Sequence, residues 1–405
     1  MILETAVQVG KVMQDFELES LTTGGEHSQM VKVPPVVSDS NSKDCVNLPS
    51  STAVSRMIPI LSHTQGSFVD AVTARLGKGS VHAGLVYEEF FRTGIVTGSS
   101  PAFNNAQVLY QAICAQVDFC PLPLASEKHD GMTGKVLLKT QDNLQVETVM
   151  IPMQSGGTVC VSSQVGCRMG CAFCETGRMG LLRSLTAAEI VSQVFVARHQ
   201  IGFPLRNVVF MGMGEPFDNY DEVMQAAQVL CDPKGMGIGS RHITVSTSGC
   251  IEGIHRLRTE GEWAPNLAVS VNAPSDEERN RLMPVNRRHN MQELYAAMSE
   301  YCKATGRQIL AAYVLLKGRN DTLEHADRLA GYLKGLDVKI NLIPYNPQTR
   351  DTFAAPEAAV VDAFALRLRQ HGYRTLLRAT KGRDIMAACG QLGNVKNRRA
   401  VTLPS

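Results

Sequence analysis

Short apolar runs alternate with helical patterns of apolar and polar residues along the chain from about residue 158. The runs "NVVFMG", "HITVST" and "NLAVSVN" have the length of buried strands, and amphipathic segments such as "YDEVMQAAQVL" and "MQELYAAMSEYC" lie between them. About six strand–helix units follow one another in this way. Buried strands separated by helices predict an α/β fold with a parallel sheet, either a barrel or an open sheet. Functional residues are then expected at the carboxyl ends of the strands.

The helix after the first predicted strand of this region carries a start signal. Thr186 is followed three residues later by Glu189, which is the pattern of a capping box. Leu185 and Ile190 have the spacing of a hydrophobic staple around that cap. The sequence therefore predicts a helix that begins at Thr186.

The N-terminal part of the chain has a different pattern, and it suggests a division into domains. Residues 1–60 include the polar, serine-rich run "SDSNSKDCVNLPSSTAVS" and predict a flexible extension. Residues 61–125 have helical spacing in "VYEEFFRTGIV" and "AQVLYQAICAQV", and predict a small helical accessory domain. Residues 126–157 predict a β extension, 158–395 the α/β core, and 396–405 a basic tail.

Composition narrows the class of protein. Apolar residues make up 44% of the 405 residues, which is enough for a sizeable core, and the net charge is only +2. The sequence has no apolar run long enough to span a bilayer and no signal-peptide pattern at its start. Eleven cysteines in such a chain indicate a reducing compartment and metal or redox chemistry more than structural disulfides. We expect a cytoplasmic protein.

Positive charge concentrates near the C-terminus. From residue 365 onward Asp384 is the one acidic residue, and the basic residues are Arg367, Arg369, Arg374, Arg378, Lys381, Arg383, Lys396, Arg398 and Arg399. Such a segment is more often a solvated surface, but it can also follow a phosphate backbone.

Three cysteines follow the first strand of the α/β region. Cys167, Cys171 and Cys174 form a C-x3-C-x2-C array in "GCRMGCAFCETG". Three thiolates so close together can hold three irons of a cuboidal iron–sulfur cluster and leave the fourth iron open. A zinc ion with Cys160 as fourth ligand, or unliganded thiols, are the alternatives that spacing leaves open.

The array and several further motifs resemble the radical S-adenosylmethionine (SAM) superfamily. Within it, "VETVMIP", "CVSSQVGC", "FMGMGEP", "VSTSG", "INLIPYNP" and "GRDIMAACGQL" resemble the RlmN/Cfr family of RNA adenosine methyltransferases, over residues 130 to 395. The resemblance implies a partial (βα)6 barrel with a small N-terminal helical domain. It also implies one [4Fe-4S] cluster on Cys167, Cys171 and Cys174, with SAM on the open iron.

The resemblance assigns catalytic roles to three residues. Cys389 matches the cysteine that carries a methyl group, and Cys160 the resolving cysteine that forms a transient disulfide with it. Glu147 matches the proton acceptor. Read without the resemblance, Cys389 is a small buried residue, Cys160 a strand residue and Glu147 a solvent-facing acid of an alternating strand.

The same motifs imply a binding site for SAM at the strand ends. Its residues would be Gly214, Glu215, Ser246, Ser270, Val271, Asn272 and Asn346. Two positions depart from the family pattern: Asn272 stands where histidine is common, and Glu175 stands where a small residue is usual. Asparagine can still donate and accept hydrogen bonds at the first position.

The implied function is methylation of an adenosine ring carbon in large-subunit ribosomal RNA, with transfer RNA as a further substrate. The resemblance favours carbon 2 over carbon 8, and the residues do not decide between them. A flavodoxin or ferredoxin would donate electrons, and we expect a monomer with no membrane partner. The competing hypotheses are a radical SAM enzyme with another substrate and a zinc-stabilised RNA-binding protein.

Overall fold

A mixed sheet of ten strands dominates the computed structural model, which describes residues 57–348, 352–378 and 382–393. The predicted basic tail, and all but the end of the predicted N-terminal extension, lie outside these residues. The strands in chain order are β1 (Ile58–Pro59), β2 (Val117–Asp118), β3 (Leu124–Asp130), β4 (Thr133–Lys139), β5 (Gln145–Met153), β6 (Gly156–Cys160), β7 (Gln164–Cys167), β8 (Gly180–Ser184), β9 (Leu205–Phe210), β10 (Ile243–Thr247), β11 (Asn266–Ser270), β12 (Ile309–Leu315), β13 (Val338–Pro344) and β14 (Thr375–Leu377).

Helices separate the strands of the second half of the chain. The α-helices are α1 (Gln65–Leu76), α2 (Ser80–Thr93), α3 (Gln107–Cys114), α4 (Glu175–Met179), α5 (Ala187–Phe195), α6 (Tyr220–Cys231), α7 (Ile251–Arg258), α8 (Asp276–Leu282), α9 (Met291–Thr305), α10 (Leu323–Tyr332) and α11 (Ala358–Gln370). No helix within the described ranges is long and apolar enough to cross a membrane.

The parallel part of the sheet has the order β14-β13-β12-β11-β10-β9-β6. Each of these strands except β14 is followed by a helix, so the predicted succession of six strand–helix units is confirmed. Val159, Val208, Val245 and Val269 are fully buried in successive strands, as expected for a parallel sheet covered by helices. Parallel pairing places the carboxyl ends of all these strands at one edge.

The antiparallel part extends the sheet on the other side of β6, in the order β5-β4-β3. The strands predicted between residues 132 and 163 are present, and β5 carries Glu147 beside β6, which ends at Cys160. Strand β3 lies mostly within the predicted β extension, but it was not identified as a separate strand, because "LASEKHD" is polar and mostly exposed. A charged edge strand of this kind discourages pairing with other chains.

The cysteine array is enclosed by a separate hairpin of β7 and β8. Cys167 is the last residue of β7, and α4 follows directly after Cys174. Gly166 has φ +79°, and a Cβ atom at this position would overlap the Gly180 carbonyl oxygen. Glycine is therefore required where the two strands of the hairpin approach each other.

Helices α1 to α3 pack onto the α/β core through aromatic side chains. Phe90 of α2 stacks on Phe195 of α5, with ring centroids 4.7 Å apart. The Tyr87 hydroxyl donates to Asp232, which follows α6. The helical character predicted for residues 61–125 is confirmed, whereas the proposed domain boundaries stay a prediction.

Helix α5 starts with the predicted capping box, in which Thr186 and Glu189 exchange hydrogen bonds. The same helix carries Gln193, a fully buried amide. Its Oε1 atom accepts from the Thr148 hydroxyl and the Ser162 N–H, and its Nε2 donates to the Ser162 carbonyl, each at 2.8 Å. Gln193 thus fastens α5 to β5 and to the residues after β6.

We expect Gln193→Leu to lower the free energy of unfolding by about 2–4 kcal/mol, because it leaves the buried peptide groups of Ser162 without partners. Urea denaturation followed by circular dichroism would measure the change. Gln200→Leu, at an exposed position, is the control and should stay within about 0.5 kcal/mol of the wild type. Equal stability of the two variants would contradict the role given to Gln193.

Candidate active site

A cavity opens at the carboxyl ends of the parallel strands and receives side chains from most of them. Its lining includes a large share of the residues predicted from the sequence, namely Cys167, Cys171, Cys174, Gly214, Glu215, Ser246, Ser270, Asn272 and Cys389. The cysteine loop, the ends of β9 to β11 and the chain after β14 therefore meet in one place, although they are far apart in sequence.

The cysteine loop is held by hydrogen bonds to its backbone. The Ala172 N–H donates to the Leu282 carbonyl at 2.9 Å, and Gln348 Nε2 donates to the Phe173 carbonyl. Burial raises the pKa of the Cys167 thiol to about 12. Burial also raises the pKa of Cys171, and the neighbouring thiols of Cys174 and Cys167 raise it further. Three thiolates can coexist here only with a strong positive charge among them.

The donor set fits an iron–sulfur cluster. Three cysteine thiols from one loop line one cavity, which matches the ligand type that such clusters use. Cys160, the fourth ligand of the zinc alternative, instead packs in an apolar cluster with Val149, Met213 and Ala387. Within the described ranges, no three Cys, His, Asp or Glu side chains are grouped so as to hold a single metal ion.

Gly214 and Glu215 follow β9 and form one wall of the cavity. Gly214 has φ +105°, and a Cβ atom there would lie 2.7 Å from the Gln164 Cβ atom, so this crossing also needs glycine. The buried Glu215 carboxylate accepts hydrogen bonds from the N–H and hydroxyl of Ser248 and from the Phe217 N–H. Burial raises the pKa of Glu215, and these donors partly offset the effect.

The end of β11 carries three of the predicted SAM contacts. Ser270 and Asn272 line the cavity, whereas the Val271 side chain is buried in the main core. Asn272 has φ +58°, a conformation that asparagine tolerates better than most residues. Its Oδ1 atom accepts from the Val314 N–H at 2.8 Å, and its Nδ2 points at the Met283 sulfur. This side chain therefore braces neighbouring segments as well as lining the cavity.

A buried arginine that the sequence did not reveal supports the same strand ends. Arg279 of α8 is 1% exposed and donates to the carbonyls of Val271 and Ser248, as well as to Asn286. Burial lowers its pKa. Carbonyl oxygens around the guanidinium take the place of water, which reduces the cost of burying the charge.

Cys389 lies in the turn formed by residues 382–393, which closes one side of the cavity. Asn346 Nδ2 donates to the Cys389 carbonyl at 3.1 Å, and the Glu175 N–H donates to the Gly390 carbonyl at 2.8 Å. The backbone of Glu175, the first residue of α4, thus joins the cysteine loop to this turn, while its side chain pairs with Arg178 at 3.4 Å. Asn346 is not among the residues that line the cavity, and its buried Oδ1 atom has no hydrogen-bond partner in the described part of the chain.

Cys160 is buried at the end of β6 and interacts with Cys389 and Arg378. Burial, and then the charge of Cys389, raise the pKa of Cys160 to about 12, while Arg378 acts in the opposite direction. Cys389 and Cys160 together raise the pKa of Arg378, which lines the cavity. Both cysteines are free thiols, so the disulfide implied by the resemblance is not present in the structure.

Glu147 is 4% exposed, which rules out the alternative of a solvent-facing acid. Its Oε1 atom lies 3.6 Å from Lys135 Nζ, and its Oε2 accepts from the Gly393 N–H at 3.2 Å. Glu147 therefore reaches the turn that carries Cys389. Neither Lys135 nor Arg378 belongs to the site residues that the sequence predicted.

The basic residues of the C-terminal segment that the structure describes do not share one environment. Arg367 of α11 pairs with Asp327, while Arg378 lines the cavity. Earlier in the chain, outside this segment, Arg288 and His289 pair with Glu252. Lys381 and the basic residues after residue 393 lie outside the described residues.

Comparisons with known proteins agree with this arrangement. A family model described as the Radical SAM superfamily matches residues 161–330. A probable dual-specificity RNA methyltransferase RlmN from Protochlamydia amoebophila is 58% identical over 342 residues, covering 84% of this chain and 96% of that protein. A relative with the same description from Symbiobacterium thermophilum is 44% identical and covers 80% of this chain and 89% of its own.

The fold also matches a solved structure. The crystal structure of a radical SAM methyltransferase from Sphaerobacter thermophilus has a TM-score of 0.77 and 38% identity, covering 82% of this chain and 98% of that one. The parallel-dominated α/β fold with a helical N-terminal region is therefore that of a radical SAM methyltransferase. On these matches and on the site that its strands assemble, the chain belongs to the RlmN family of radical SAM RNA methyltransferases.

Proposed function

We propose that the protein methylates carbon 2 of an adenosine in large-subunit ribosomal RNA, with transfer RNA as a second substrate, and that Cys389 carries the methyl group. One observation carries the proposal. The turn that holds Cys389 is hydrogen-bonded to the cysteine loop through Glu175 and Gly390, and to Glu147 through Gly393. The relatives are named dual-specificity RNA methyltransferases, which supports two RNA substrates.

Cys167, Cys171 and Cys174 would hold three irons of a [4Fe-4S] cluster, with SAM on the fourth. When bound, this group supplies a methyl group and, from a second SAM, a 5′-deoxyadenosyl radical. Glu215, Ser246, Ser270 and Asn272 line the cavity beside the three cysteines and would contact SAM. Gly214 would allow the backbone to approach it, and Val271 would contribute through its peptide group.

The chemistry explains why a cysteine is needed. Carbon 2 of adenine is electron-poor and does not attack a sulfonium methyl group as an amine would. The Cys389 sulfur can accept the methyl group, because sulfur is a good nucleophile as the thiolate. A hydrogen atom would pass from the S-methyl group to the 5′-deoxyadenosyl radical, and the carbon radical that remains would add to the adenine carbon. The product of this addition would be a covalent link between the protein and the RNA that carries one unpaired electron. The cluster on Cys167, Cys171 and Cys174 would be the acceptor of that electron.

Release of the RNA requires a base and a second thiol. The Glu147 carboxylate accepts a hydrogen bond from the Gly393 N–H of this turn and would accept the proton from the adenine carbon. The Cys160 sulfur would then bond to the Cys389 sulfur while the bond from Cys389 to the methylene carbon breaks. The electron pair of the broken bond goes to that carbon, which takes up a proton and becomes the methyl group.

The surroundings of the enzyme are part of the proposal. A small electron-transfer protein such as flavodoxin or ferredoxin would reduce the cluster. We expect the protein to be a monomer. We expect it in the cytoplasm, because a reducing compartment keeps eleven cysteines as thiols. The basic C-terminal segment and the small N-terminal helical domain with α1 to α3 would contact the RNA backbone.

A methyl group on Cys389 can be detected from the mass of the peptide that contains this residue. In cells grown with methyl-deuterated methionine, we expect the peptide that contains Cys389 to carry one labelled methyl group, measured by mass spectrometry after digestion. Cys171→Ala should abolish the label, because the methyl group reaches Cys389 only when the cluster is present. Cys231→Ala, on α6, is the matched control and should keep it.

An unlabelled Cys389 in protein with a complete cluster would contradict the methyl-carrier role and favour a radical SAM enzyme with another substrate. Metal analysis of the same samples addresses the remaining alternative. Zinc in place of iron and sulfide would favour a zinc-stabilised RNA-binding protein.

Blocking release should trap the covalent intermediate. We expect Cys160→Ala and Glu147→Gln to accumulate a protein–RNA adduct at least about tenfold above the wild type, because each removes a group needed to break it. Denaturing electrophoresis with labelled RNA would detect the adduct, and Cys389→Ala should form none. Wild-type levels of adduct in both variants would show that neither residue acts in release.

A further inference from the structure

Lys135 and Glu147 form a buried ion pair that connects two antiparallel strands. Lys135 lies on β4 and Glu147 on the adjacent β5, and their charged atoms are 3.6 Å apart. The two side chains are 9% and 6% exposed. A buried charge left without a partner is costly, so each member of such a pair depends strongly on the other.

The pair also contacts the turn that carries Cys389, on both sides of that cysteine. Lys135 Nζ donates to the Met386 carbonyl at 3.0 Å. Glu147 Oε2 accepts from the Gly393 N–H at 3.2 Å. The ammonium and the carboxylate therefore hold a segment that begins three residues before Cys389 and ends four residues after it.

The ammonium of Lys135, 3.6 Å from the Glu147 carboxylate, counteracts the effect of burial on that carboxylate. Burial raises the pKa of Glu147, and the charge of Lys135 opposes that rise more than any other group. Gly393 and the exposed Lys128 of β3 add to the opposition. From the side of β6, Ser162 donates its hydroxyl to the Glu147 carbonyl, which is a neutral contact. Burial lowers the pKa of Lys135, and Glu147 counters this.

We propose that Lys135 is a positioning residue for RNA release, which holds Glu147 as an ionised carboxylate against the Cys389 turn. The inference rests on the proposed function, because Glu147 is the proton acceptor there. In the step concerned, the adenine carbon of the adduct gives its proton to a Glu147 oxygen, and the electron pair stays on the ring. Lys135 keeps its own proton throughout.

The direction in which loss of Lys135 shifts the pH dependence of RNA release follows from the role of Glu147 as proton acceptor. A carboxyl group must be ionised before it can accept a proton. When the neighbouring ammonium is removed, the protonated form of Glu147 persists to higher pH. In a plot of the release rate against pH, the acidic limb, where the rate falls as Glu147 becomes protonated, should then move to higher pH. The rate of release at a given acidic pH should therefore fall.

The test follows the decay of the protein–RNA adduct after rapid quenching, in the full-length enzyme with its cluster, as a function of pH. We expect Lys135→Met to slow the decay at least about tenfold near neutral pH and to move the acidic limb upward by about one pH unit or more. Lys135→Arg should restore much of the rate, because it keeps the charge. Lys139→Met, an exposed lysine of the same strand, is the matched control and should behave as the wild type.

Two results would overturn the proposal: unchanged decay in Lys135→Met, or slower decay with the acidic limb at its wild-type pH, which indicates a structural role alone. If Lys135→Met does not fold, the double variant Lys135→Met/Glu147→Gln removes both buried charges. It should decay as slowly as Glu147→Gln alone, because Lys135 acts through Glu147, and a further loss would refute that. Absence of the labelled methyl group from wild-type Cys389 would instead refute the proposed function.

Discussion

Parallel pairing of β6 with β9, and onward to β14, is the constraint on which the site depends. It puts the carboxyl ends of strands that are distant in sequence at one edge of the sheet. Only there can the cysteine loop, the SAM-contact candidates and the Cys389 turn meet around one cavity. The helices that cover the sheet exclude water from its buried strands. One of them, α5, is held to β5 and to Ser162 by the hydrogen bonds of Gln193.

Charged side chains near this edge of the sheet are stabilised by specific hydrogen-bond and ion-pair partners rather than by water. Glu215 accepts from Ser248 and Phe217, Arg279 donates to carbonyl oxygens, and Glu147 faces Lys135. Each arrangement joins segments that come from different strands. These buried charged side chains therefore also fix the positions of the segments that they join, because moving any of these segments would leave a buried charge unpaired.

Residues carried by local motifs were predictable, and residues that act across the sheet were not. The C-x3-C-x2-C array, the strand-end glycines and the capping box of Thr186 and Glu189 are patterns of neighbouring residues, so they are visible in the sequence. Lys135, Arg378 and Arg279 carry no such signal, since an isolated basic residue is usually solvated. Pairing between β4 and β5, or the position of α8 under the strand ends, is what gives them a role. The same reason explains why the residues alone left a solvent-facing Glu147 open as an alternative: alternation along β5 shows that it faces one side of the sheet, but not that the Cys389 turn covers that side.

The sequence by itself determined the class of the fold, the order of its strand–helix units, the cysteine array and the resemblance to a family. These follow from periodicity and from the spacing of neighbouring residues, which need no knowledge of long-range contacts. Tertiary structure alone decided which acids and bases are buried, that Cys160 lies in an apolar cluster beside the Cys389 turn, and that Lys135 faces Glu147. Burial and charge pairing arise only when distant segments exclude water from one another, and that is a property of the packed chain.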